Sequence, residues 1–161
     1  MTVPGNIYST LFKPQQIIYG NGKYGSQWRL YQRTATRSGT AGFEWHMGGF
    51  QMTGVRASDG AAVSATVAMT TASSLRAGSG VVYFFATTGT YGIFGAPSAG
   101  EYLNVNFGQL VSITSVTYMN RVGANWAPSQ VDVRSYDAGT WTVRAIYNDN
   151  GTTNSQSIVV V

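Results

Sequence analysis

Along Glu101-Tyr-Leu-Asn-Val-Asn-Phe-Gly108, Leu103, Val105 and Phe107 fall on one side of an extended chain, and Tyr102, Asn104 and Asn106 on the other. A two-residue period of this kind predicts a strand with one buried face. Val111-Ser-Ile-Thr-Ser-Val-Thr-Tyr-Met-Asn-Arg121 and then Trp126-Ala-Pro128 extend the reading to strand, turn, strand, loop. The second strand breaks parity, because Val111 and Ile113 share one phase while Val116 and Tyr118 take the other. A β-bulge near Thr114 or Ser115 brings both sets to one core.

The same alternation recurs elsewhere. Trp28 and Leu30 alternate with Arg29 and Tyr31; Val63, Ala65, Val67 and Met69 form a second series, and Trp141, Val143, Ala145 and Tyr147 a third. Turn residues punctuate them at Asp59-Gly60, Gly78-Ser-Gly80, Asp137-Ala-Gly139 and Asn150-Gly151. No window of helical length holds a 3.6-residue period. Many short strands with regular turns predict an all-β fold, a jelly-roll β-sandwich over residues 25–161. Residues 1–24 read differently: Pro4-Gly5, Pro14 and Gly20-Asn-Gly22 interrupt short apolar pieces. They predict an extended N-terminal arm that packs on something, the alternative being a first strand and its loop.

A chain of 161 residues is long enough for one self-sufficient core. It has no cysteine, so neither disulfides nor thiolate chemistry enter. Charged residues make up only 10%, and the net charge of +4 is scattered rather than clustered, which argues against a nucleic-acid footprint. The first residues have neither the basic nor the apolar region of a secretory signal, and no apolar run reaches membrane-spanning length. The expected setting is the host cytoplasm or a particle assembled there.

The chemical motifs weigh little. Gly20-Asn-Gly-Lys-Tyr-Gly25 matches G-x-G-x-x-G with Glu44 downstream, but strand-like residues follow where a dinucleotide site requires a helix. His46 is the sole histidine, framed by no Asp or Cys pattern as a base or a ligand, and reads as a structural or interface residue; the six acids form no obvious couple. No catalytic constellation and no cofactor are expected. Asn150-Gly-Thr152 has the form of a glycosylation acceptor but reads as a tight hairpin turn. Arg29, Arg33 and Arg37, with Tyr31 among them, would make a basic outward stripe on a long strand; the alternative is a solvated or intersubunit face. Trp45, Tyr91, Phe94 and Trp126 sit beside Gly, Pro or Asn, where rings stack on sugars or fill protein interfaces.

Three pieces in register resemble the discoidin-like, galactose-binding-like jelly rolls, in particular those of bacteriophage virion proteins. They are Gln27-Trp-Arg-Leu-Tyr31 with Gly49-Phe-Gln-Met52; Met69-Thr-Thr-Ala-Ser-Ser74; and the opening segment continued through Ser129-Gln-Val-Asp-Val-Arg134 and Gly139-Thr-Trp141. In such a fold Trp28, Phe107 and Trp141 would supply core bulk. The family's calcium loop has lost its acid here, reading Val82-Tyr-Phe-Phe-Ala-Thr-Thr-Gly89, so no metal is expected. Glu44-Trp-His-Met-Gly-Gly-Phe50 stands where the family is more acidic, so no inherited ligand site is assumed.

The resemblance implies a structural virion protein, a capsid decoration or cement protein. It would act as a homotrimer on the major capsid or another virion protein, with Ile7, Tyr8, Leu11, Phe12, Ile17, Ile18 and Tyr19 as the docking arm. The alternative is a carbohydrate-binding receptor module of a tail fibre or adhesin. Its candidate glycan or partner contacts are Trp45, Tyr91, Phe94, Arg121, Asn125 and Trp126. Neither reading involves nucleic acid or membrane.

Overall fold

The computed structural model describes residues 16–18, 24–121, 124–151 and 155–160. The fold is all-β. One antiparallel ladder joins ten strands: β1 (Gln16–Ile18), β2 (Gly25–Gln32), β3 (His46–Arg56), β4 (Ala62–Ser64), β5 (Thr70–Ala72), β6 (Gly92–Ile93), β7 (Tyr102–Asn120), β8 (Gln130–Asp137), β9 (Thr140–Asn148) and β10 (Ser155–Val159). The only α-helix among the described residues is a single turn, Val81–Phe84.

β7 organises the ladder. Its first half lies between β2 and β5, and its second half between β3 and β10. β8, β9 and β1 extend the first wing beyond β2; β4 and β6 extend the second beyond β3. Leu103, Val105 and Phe107 of one half and Val111, Ile113, Val116 and Tyr118 of the other belong to a single buried cluster, so the wings face each other across one core. Each large apolar side chain fully withdrawn from water there contributes about 1.5–3 kcal/mol.

The expected turn after Gly108 is instead a bulge inside one continuous strand. Gly25 pairs with Val111 and Gln27 with Asn106, so residues 107–110 loop out opposite β2. Gly108 takes φ +65°, its amide donates to Asn106 Oδ1, and the Trp28 indole donates to the Val111 carbonyl at 3.0 Å, pinning the bulge from within. The second bulge lies where the parity break put it. Thr53 pairs with Ser115 and Gly54 with Ile113, leaving Thr114 between them, and the core positions on both sides are buried.

β9 holds a bulge that its alternation conceals. Val133 pairs with Ala145 and Arg134 with Val143, so Arg144 is the extra residue, its Nε donating to Ser135 Oγ at 2.6 Å. Parity therefore flips: Ala145 and Tyr147 face the core, while Trp141 leaves it and packs beside Tyr136 on the outer face at 5.2 Å. This corrects the expectation that Trp141 fills the core; Trp28 and Phe107 do fill it. Asp137-Ala-Gly139-Thr140 closes the β8–β9 hairpin with φ 46° at Ala138 and 85° at Gly139, a two-residue turn that matches strand twist.

Other expectations change. The series from Val63 to Met69 stays in the sheet only over Ala62–Ser64; the chain then turns through Val67–Met69, leaving Val67 and Met69 exposed. Asn150-Gly151 closes no β9–β10 hairpin, because β10 pairs with β7 in the other wing. The basic stripe does not form either. β2 ends at Gln32, and Arg37 turns back to the carbonyls of Ala124, Ala127 and Asp149. Gly25, the last glycine of the G-x-G-x-x-G run, opens a strand. Of the predicted arm, Ile17 and Ile18 lie in β1, paired with Ile146 and Ala145 of β9. Ile7, Tyr8, Leu11, Phe12 and Tyr19 lie outside the described residues.

Candidate functional site

The most unusual polar arrangement lies where the chain enters β3. The Phe94 amide donates to the Trp45 carbonyl at 3.2 Å, holding this entry against β6. Trp45 and Met47 belong to the core, so His46 between them points to the opposite side. There its ring meets Trp126, with centroids 4.4 Å apart, and Arg121, whose Nη1 lies 3.1 Å from His46 Nδ1. Phe43 packs on the same indole at 4.8 Å, and the Arg121 guanidinium lies 4.9 Å from its centroid.

This geometry fixes a tautomer. A guanidinium only donates, so His46 Nδ1 accepts and the ring proton resides on Nε2. Nε2 is buried without a hydrogen-bond partner among the described residues, and the whole residue is only 2% exposed. Burial, reinforced by the Arg121 charge, pulls the imidazole pKa down to about 4, with Glu44 opposing the shift. At neutral pH the ring is therefore an uncharged donor. It is poorly suited to general-base work, because Arg121 occupies its basic lone pair.

Glu44 borders the site. Burial alone would raise its pKa, but backbone amide bonds, including one from Gly42 at 3.0 Å, and the Arg76 guanidinium at 3.2 Å outweigh burial and lower it. Behind the site, Trp45 Nε1 donates to Asn120 Oδ1 at 2.9 Å, and Asn120 Nδ2 donates to the Asp149 carboxylate at 2.9 Å. Asp149 also accepts from the Tyr118 hydroxyl and the Gly151 amide, both at 2.6 Å. Burial, followed by the Asp149 charge, raises the Tyr118 phenol well above its usual pKa. This network ties the strand ends beneath the loops.

Of the six proposed contacts, Arg121, Asn125 and Trp126 come together, with Arg121 and Asn125 exposed and Trp126 half-buried. Trp45 and Phe94 must be corrected: both are fully buried and stack on each other at 5.2 Å, because each flanks a strand end, Trp45 before β3 and Phe94 after β6, and turns its ring into the core there. Tyr91 is half-buried, its ring close to Gly48. His46 and Phe43 belong to the site but were not among its sequence-derived contacts; their nearness to Trp126 depends on folding across about eighty intervening positions. Among the described residues no group of three His, Cys, Asp or Glu side chains is placed to hold a metal. Comparison with protein-family models, curated proteins and solved structures returns no match.

Proposed function

We propose that this chain is a jelly-roll assembly module without enzymatic activity, a virion decoration protein that joins neighbouring subunits, as a homotrimer on a capsid, through its exposed apolar excursion. The observation that carries this reading is the chemistry of the segment between β4 and β7. Between Asp59 and Glu101 the only charged side chain is Arg76. The same stretch exposes Val67, Met69, Leu75, Val82 and Tyr83. These come from neighbouring pieces: Met69 abuts β5, Leu75 follows it, and the helical turn bearing Val82 and Tyr83 packs against β5. A free protein surface ordinarily carries charge, whereas subunit contacts deplete it and enrich aromatic residues and methionine.

The test is sedimentation of the purified protein, alone and with particles lacking it. The wild type should self-associate and co-sediment with particles, and Leu75→Asp with Val82→Asp should abolish both while leaving the circular dichroism spectrum unchanged. A wild-type monomer that ignores particles would overturn the reading.

A second reading rests on the Arg121–Trp126 site: a neutral glycan stacked on Trp126 with its oxygens accepting from the exposed Arg121 guanidinium and Asn125 amide. It predicts saturable glycan binding that Trp126→Ala removes. A folded protein silent across a glycan array excludes it.

A further inference from the structure

The outer face of the β9–β8–β2–β7–β5 wing carries an arginine that makes no direct ion pair among the described residues, feeling Asp132 only at a distance. Cross-strand pairing sets Thr71, Asn104, Arg29, Arg134 and Val143 in one row across it. Arg29 lies between two aromatic rings, its guanidinium carbon 3.6 Å from the Trp141 centroid and 3.9 Å from that of Tyr102. Both contacts lie well within the roughly 6 Å range of a cation–π pair. Arg134 beside it is equally stacked, 3.5 Å over Tyr31, but grips Asp132 bidentately at 2.7 and 2.9 Å. Arg33 shares that same carboxylate at 3.4 Å. Thus the one acid in this cluster serves two arginines, and Arg29 makes no ion pair or hydrogen bond among the described residues. Its Nε is buried and unpartnered. Across the strand the Asn104 amide oxygen is likewise buried and unpartnered, while its Nδ2 donates to Gln27 at 3.3 Å.

We propose that this sheet face binds an anionic polysaccharide, with the in-plane N–H groups of Arg29 as the anion contact. With both faces of the guanidinium covered by rings and Nε buried, the two Nη groups remain to interact, and that terminal fork matches the two oxygens of a carboxylate or sulfate. The residues around it select the class of ligand. The Gln27 amide, oriented by its bond from Asn104, is suited to sugar hydroxyls, and the face is a sheet that an extended chain can follow. An acidic peptide would call for apolar pockets for its other side chains, and the exposed apolar residues of this protein lie mainly on the excursion between β4 and β7 instead. Arg134, held by Asp132, positions the neighbouring charge rather than receiving the anion. The inference is independent of the subunit-joining role and of the Trp126 site.

The experiment measures binding of the full chain at low salt to polygalacturonate, dextran sulfate, neutral dextran and polyglutamate. Wild-type protein should bind the first or second and ignore neutral dextran. Arg29→Gln and Arg29→Lys should each weaken binding about ten-fold or more, because lysine keeps the charge but loses the planar fork. Arg56→Gln, at the end of β3 beside Asp59, should have no effect. Should Arg29 variants fail to fold, Asn104→Asp supplies an internal counter-ion with the rings left in place, and it should abolish binding. No binding to either polyanion, undiminished binding in Arg29→Gln and Asn104→Asp, or tighter binding of polyglutamate would each overturn the proposal.

Discussion

The His46 site makes stability depend on pH in a direction set by its burial. In the native state the imidazole pKa is about 4, against 6.5 for the ordinary group. Between those values the unfolded chain binds a proton that the native chain refuses, so native stability is complete above pH 6.5 and falls as the pH drops toward 4. Integrating that difference down to about pH 5 gives a loss of about 2 kcal/mol, and for a chain of this length each kcal/mol moves the Tm by roughly 2–4 °C. The assay is thermal or urea unfolding at about pH 7.5 and about pH 5, comparing wild type with His46→Asn. The wild type should lose roughly 4–8 °C more than the variant over that interval. Acids elsewhere titrate in both proteins and cancel in the comparison. Arg121→Gln should shrink the wild-type loss, since it removes the neighbouring charge that helps hold the pKa down. Parallel pH profiles for wild type and His46→Asn would refute the account, as would an NMR spectrum placing the imidazole proton on Nδ1.

Two further outcomes follow from packing. Asp149→Ala strands the Tyr118 hydroxyl, the Asn120 amide and the Gly151 amide in a buried site, and should cost about 3 kcal/mol in urea unfolding; a loss under about 1 kcal/mol would mean water replaces the carboxylate freely. Gly54 sits where β3 crosses the Thr114 bulge, and a methyl group there would lie 2.1 Å from the Ser112 carbonyl oxygen. Because that neighbour is backbone, Gly54→Ala should cost about 3 kcal/mol or more, and a near-neutral effect would show that the bulge can shift.

The strands and one bulge were legible because they leave a signature in local parity: Leu103, Val105 and Phe107 alternate cleanly, and the phase change between Ile113 and Val116 requires an extra residue. The β9 bulge was hidden by its own composition. Trp141, Val143, Ala145 and Tyr147 alternate without a break, so nothing local reveals that Arg144 flips the first pair outward. Trp45 and Phe94 misled for a related reason. A ring flanked by glycine or a polar residue suits both a loop and the end of a buried strand, and only the β3–β6 pairing decides between them. The His46 site joins residues 43–46 with Arg121 and Trp126, and the lone guanidinium at Arg29 depends on Asp132 being occupied elsewhere. Both are properties of the assembled sheet, which no window of sequence contains.

The continuity of β7 changes how the molecule can come apart. Each of its halves is gripped on both edges, by β2 and β5 before the Gly108 bulge and by β3 and β10 after it. The exposed link at Gly108 to Leu110 is therefore the least tensioned part of the longest strand. A backbone cut there would leave two fragments still clasped by separate neighbours around a shared core, so that the protein behaves as a non-covalent complex of its own two pieces.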